Sequence, residues 1–271
     1  MKTTTHIETI TPELASVYLS LNTNNRPTSK RQIKFLADQM KCGQWKMTGE
    51  PIIFSEDRLL DGQHRLVAVV ESGATIQALV VRGIDNSAFT SMGVSKTRAA
   101  SDVLSIAGFA NTNRLAAVCR IVDNYFSGRN FRGKRHTNEE VLLIAQQYTK
   151  NSLLSPCIVE SVKNAYRLRT KASIAPDAVV ASTHYIFSCL SIPEANLFME
   201  KLHTGVGLKE DDPERVLRER LIKNSIMKAN LSDGYIFALF IKCWNGRRKG
   251  QTIKQLRVRE EGNAEAAPIA I

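Results

Sequence analysis

The sequence predicts an α+β protein in two parts, a mixed α/β half followed by an all-helical half. Three observations carry this reading. Strand signals stop early: Pro51-Ile52-Ile53-Phe54, Leu59-Leu60 and the β-branched run Ile76-Gln77-Ala78-Leu79-Val80-Val81 all precede Gly108. Beyond Gly108, apolar residues recur at helical spacing and no strand pattern stands out. The chain has 271 residues and 43% hydrophobic content, enough for two ordinary domains with real cores. The expected division is 1–108, 109–259 and an Ala- and Glu-rich tail, 260–271, that is expected to be mobile.

The elements follow in order. Thr11-Pro12-Glu13 opens a helix with a cap and a proline at its first position. After the polar loop Leu21–Pro27, Thr28-Ser29 caps a second helix. Its Ile33, Leu36, Ala37 and Met40 share one face, and Gly43 ends it. Pro51–Phe54, a turn at Ser55–Arg58 and Leu59-Leu60 read as a hairpin or two short strands. A helix then runs to about Glu71 and stops at Ser72-Gly73, before the strand 76–81 and a helix from Ala99 to Ile106. Further helices are expected over 115–126, 137–148, 156–167, 176–190, 193–202, 213–227 and 233–244. Thr137-Asn138-Glu139-Glu140 spells a capping box.

Composition narrows the partners. Lys and Arg number 37 against 26 Asp and Glu, a formal charge of +11. Such an excess favours a polyanion, nucleic acid before an acidic membrane surface. The five cysteines are scattered and form no C-x-x-C pair, which argues against a zinc ribbon or dithiol motif and fits a reducing, cytoplasmic setting. The N-terminus has no apolar signal-peptide core. The longest apolar stretch, Tyr235–Cys243, is broken by Lys242 and too short to span a bilayer.

The densest chemistry is Asp61-Gly62-Gln63-His64-Arg65, which falls at a strand-to-helix junction. A helix start offers backbone N–H groups and a positive dipole end, Gly62 permits close backbone approach, and His64 and Arg65 add donors. This suits a phosphate. Asp61 also suits Mg²⁺ beside a triphosphate. The plainer reading makes Asp61 an N-cap, with Gly62 relaxing the turn and the rest solvated.

The order of features resembles the ParB/sulfiredoxin superfamily, in particular the ParB-like proteins of phages and mobile elements. An Asn25-Arg26-Pro27 loop leads to a helix ending in glycine. A Gly49-Glu50-Pro51-Ile52 strand start, a strand pair, the Gly62-Gln63-His64-Arg65 helix opening and a further strand follow. The likeness covers about residues 10–106. It implies a ParB/sulfiredoxin-like domain in which Asn25, Arg26, Gly62, Gln63, His64 and Arg65 surround a nucleoside triphosphate, CTP or ATP, with Mg²⁺ at Asp61. Sulfiredoxins carry Gly-Cys-His-Arg here. Gln63 replaces that nucleophile, so their reductase chemistry is excluded. ParB proteins carry Gly-Glu-Arg-Arg, and neutral Gln63 cannot replace their glutamate as a base.

Two Gly-flanked basic stretches with an aromatic residue suggest nucleic-acid contacts: Arg129, Phe131, Arg132, Lys134 and Arg135, and Trp244 with Arg247, Arg248 and Lys249. Lys163, Arg167, Arg169 and Lys171 add a basic helix end. Solvated surface loops are the alternative. No helix-turn-helix is assigned. The expectation is a nucleotide-dependent, DNA-associating ParB-like protein, with slow NTP hydrolysis left open, room for a homodimer and no membrane partner. The rival is a phosphotransferase using the same site, with Asp61 or His64 as base or charge stabiliser. A ParB-like nuclease lacks a clear carboxylate pair.

Overall fold

The computed structural model describes residues 2–23, 25, 27–92, 98–131, 133–149, 155–167, 175–228, 231–256 and 268–271. The chain divides into two compact units, Met1–Thr97 and Arg98–Ile271. The division falls earlier than the expected boundary at 108, because Ala100 and Leu104 are buried in the core of the second unit.

The first unit runs β1 (Thr4–Ile10), α1 (Pro12–Ser20), α2 (Lys30–Lys41), β2 (Ile52–Phe54), β3 (Leu59–Asp61), α3 (Gln63–Ser72) and β4 (Ile76–Arg82). Its mixed sheet has the order β1-β4-β2-β3. β1 and β4 are antiparallel from Thr4↔Arg82 to Ile10↔Ile76. β2 lies parallel to β4, and the β2–β3 hairpin is antiparallel with a register shift at Ile53/Phe54. α1 and α2 both pack on α3. Ile33, Ala37, Ile52, Leu66, Val69 and Val80 interlock between helices and sheet. The caps read from the sequence form: Leu14 N–H donates to Thr11 Oγ1 and Gln32 N–H to Ser29 Oγ.

β1 is the element the sequence does not announce. It is an edge strand with only Ile10 buried, so it shows none of the apolar alternation that marks a half-buried strand.

The second unit holds helices and no strand among its described residues: α4 (Ala100–Ile106), α5 (Thr112–Phe126), α6 (Asn138–Tyr148), α7 (Ile158–Arg167), α8 (Asp177–Ser188), α9 (Ile192–Thr204), α10 (Pro213–Ile226) and α11 (Asp233–Arg248). α8 is the axis of the unit. Val179 and every residue from Ala181 to Ser188 are buried, and Phe187 stacks on Trp244 with ring centroids 4.3 Å apart. A helix enclosed on all sides must satisfy its polar groups internally. Thr183 Oγ1 donates to the Val179 carbonyl, and His184 lies 2.9 Å from both Ser161 Oγ and Asn196 Oδ1. The Thr137 capping box closes in both directions with Glu140.

Two expectations are corrected here. α11 does not end at Trp244 but continues to Arg248, with Gly246 inside it. A Cβ at Gly246 would lie 2.4 Å from Ile253 Cδ1, so glycine makes room for the chain folding back rather than for a turn. In the tail, residues 268–271 are fixed by hydrogen bonds to Tyr125, Trp244 and Asn245, whereas residues 257–267 lie outside the described ones.

Candidate functional site

The β3–α3 junction of the first unit gathers most of the residues singled out for a phosphate. Gly62 is the N-cap of α3 at φ +106°, a conformation favouring glycine. A Cβ there would sit 3.1 Å from Ile52 Cγ1 and Cγ2, so the β2 strand also requires glycine at this position. The Gly62 N–H donates to Asp61 Oδ1 over 2.7 Å, and the Asp61 side chain is 52% exposed. Asp61 therefore sits just before the cap and is not the cap itself.

An amide network joins the α1–α2 loop to this junction. Asn22 Nδ2 donates to Gln63 Oε1 (3.2 Å), and Asn25 Nδ2 donates to Asn22 Oδ1 (2.5 Å) and to the Leu59 carbonyl (2.8 Å). Gln63 is buried, so its amide positions the loop. The Ser29 N–H donates to His64 Nε2 over 3.0 Å, which ties the start of α2 to the first turn of α3. That bond occupies the Nε2 lone pair, the atom a general base at His64 would otherwise offer.

Arg65 departs from its expected role. Its guanidinium donates to the Glu50 carbonyl and, over 2.7 Å, to the Pro51 carbonyl, with the Asp61 carboxylate 3.9 Å away. The side chain is 13% exposed. Burial pulls its pKa down, opposed by Asp61 and Glu50. Its planar donors pin the backbone leading into β2 instead of facing outward to a phosphate. Arg26 lies outside the described residues.

Sequence reasoning passed over Lys30 and Arg31. Both are exposed in the first turn of α2, where the helix dipole favours acids. Among the described residues eight helices, α1, α4, α6, α7, α8, α9, α10 and α11, carry an acid in the first turn, whereas α2 and α5 have none. α3 has none either. Two helix starts without acids thus meet at the Ser29–His64 bond. That misplaced basicity was the available signal. Among the described residues no group of three His, Cys, Asp or Glu gathers as a metal site, so Asp61 offers Mg²⁺ a single exposed carboxylate.

In the second unit the two basic stretches are built differently from the expectation. Phe131 packs against Phe237, centroids 5.2 Å apart, and over Gly234, so it anchors its loop to α11. Trp244 is 0% exposed. Neither ring faces outward to stack on a base, because each fills space in the helical core. Arg129 pairs with Asp123 (3.3 Å) and Lys134 with Glu140 (2.6 Å), while Arg247 pairs with buried Glu214 and Arg248 with Glu194. Arg135 and Lys249 are exposed, Lys249 as the C-cap of α11. Arg132, Arg169 and Lys171 lie outside the described residues, as does the side chain of Arg167.

No protein-family model matches the chain, and no curated protein or solved structure matches it. No helix among the described residues is long and apolar enough to cross a membrane.

Proposed function

We propose that the first unit binds the phosphates of a nucleoside triphosphate, CTP or ATP with Mg²⁺, at the joined starts of α2 and α3, and that the chain is a ParB-like protein whose association with DNA depends on that nucleotide. The observation that carries the reading is the Ser29–His64 bond, which brings together two helix starts whose first turns carry no acid, one of them bearing exposed Lys30 and Arg31. Helix starts attract anions through their dipoles and backbone donors. The loop of Asn22 and Asn25, stitched to Gln63 and Leu59, supplies the wall of the site. Asp61 is the residue that would hold Mg²⁺, which neutralises phosphate charge when bound. The DNA part of the proposal rests on charge: residues 98–271 hold 26 Lys and Arg against 17 Asp and Glu.

The test is a thermal-shift titration of the full chain with each of the four NTPs and Mg²⁺, with and without duplex DNA, followed by phosphate release. Stabilisation by one nucleotide, with DNA affinity changing on its addition, is the expected result. Indifference to all four NTPs rejects the proposal.

A further inference from the structure

Residues 268–271, Pro-Ile-Ala-Ile, lie against α5 and α11, and the contacts are made to their backbone. Trp244 Nε1 donates to the main-chain oxygen of Ile271 over 2.9 Å. Asn245 spans Ala270: its Nδ2 donates to the Ile269 carbonyl (2.7 Å) and its Oδ1 accepts from the Ile271 N–H (3.0 Å). The Ala270 N–H donates to the Tyr125 hydroxyl over 2.7 Å. Ala270 packs against the helical core, whereas Ile269 is 79% exposed and Ile271 44% exposed.

This arrangement is not driven by full burial of the largest apolar side chains, since Ile269 stays mostly in water and Ile271 is nearly half exposed. It is a backbone clamp. A side-chain amide carries a donor group and an acceptor group side by side, which here match a main-chain acceptor and donor two residues apart. Trp244 is completely buried, and a buried indole N–H needs a partner. Three side chains from two helices converge on three consecutive residues, and only the central one meets the core.

We propose that Tyr125, Trp244 and Asn245 form a peptide-binding site, occupied by residues 268–271 of the same chain, which a separate peptide with a small residue at the Ala270 position can occupy in their place. Recognition runs through main-chain groups, so the site tolerates variation at 269 and 271 and selects for size at 270. The site is independent of the nucleotide reading.

The test deletes residues 268–271 and titrates the acetylated peptide Ala-Ala-Pro-Ile-Ala-Ile into the truncated and full-length chains, read by calorimetry and tryptophan fluorescence. Saturable binding to the truncated chain and none to the full-length chain is expected. Asn245→Ala in the truncated chain weakens binding about tenfold through two lost hydrogen bonds, and a peptide with Phe at the Ala270 position does not bind. A truncated chain of unchanged helicity that ignores the peptide overturns the proposal, as does equal binding to both chains. If truncation unfolds the protein, amide hydrogen exchange on the full chain decides. Ala270 and Ile271 amides slowed in the parent, with Ile271 released in Asn245→Ala, support the clamp. Unprotected amides in the parent overturn it.

Discussion

The Ser29 N–H and His64 Nε2 stand 3.0 Å apart, and this single bond fixes the start of α2 to the first turn of α3. Ser29 is the N-cap of α2 and His64 lies in the first turn of α3, and neither first turn contains an acid. Like dipole ends brought together disfavour each other, and on the reading proposed above an anion would offset them.

A charge reversal separates ligand binding from folding. Lys30→Glu with Arg31→Glu places acids where the α2 dipole prefers them, so the melting temperature holds or rises. The same change repels phosphate, and nucleotide affinity falls by about tenfold or more. Calorimetric melting and nucleotide titration on the same preparation check both signs. Unaltered nucleotide affinity removes α2 from the site.

Arg65 calls for the opposite outcome. Its donors serve the Glu50 and Pro51 carbonyls, so Arg65→Ala destabilises the first unit by about 2 kcal/mol, the scale of charge-assisted hydrogen bonds to partly buried acceptors. Arg65→Lys restores only part, because an ammonium cannot reproduce the planar fork. Urea unfolding followed by circular dichroism measures this. A folded Arg65→Ala protein of parental stability would falsify the backbone role and return the residue to the phosphate.

His184 makes the second unit sensitive to acid. Burial holds its imidazole below the ordinary value, opposed by the bond to Asn196. The unfolded chain takes up a proton near pH ~6.5 while the folded chain resists it. Its contribution to stability is therefore complete above about that pH and is lost as the pH falls below it. Denaturation midpoints at about pH 7.5 and about pH 5.5 should differ more in the parent than in His184→Gln. Equal differences would show that His184 does not carry the effect.

Local chemistry was legible and distant pairing was not. The caps at Thr11, Ser29 and Thr137 depend on neighbours within three residues, and each forms as the sequence indicates. The same holds for the glycine stop at Gly73, which caps α3 at φ +67°. The role of Arg65 depends on carbonyls 14 and 15 residues upstream, and the bond from Asn22 to Gln63 joins residues 41 apart. Gly246 reads as a loop residue until Ile253 folds over it. Basic runs are the hardest case, because composition counts cations and says nothing of the carboxylates that tertiary structure sets beside them. Arg247 finds Glu214 and Arg248 finds Glu194, across 33 and 54 residues.

That last point yields a quantitative expectation for DNA. Each Lys or Arg that neutralises a phosphate releases condensed counterions and contributes about 0.9 to the steepness of log affinity against log salt, so Arg129 and Lys134 together would contribute about 1.8. In the folded chain, however, Arg129 faces Asp123 and Lys134 faces Glu140. Glu140 also accepts the Thr137 N–H, so moving Lys134 onto DNA would leave the capping carboxylate without its cation. Burial favours the neutral form of Glu140, and the Lys134 and Thr137 contacts outweigh it, leaving its pKa below the ordinary value. Arg129→Ala with Lys134→Ala should therefore lower the slope by well under about 1.8. DNA titrations between about 50 and 200 mM salt measure it. A fall of the full amount would mean that both pairs open on binding and that the loop grips the phosphates directly.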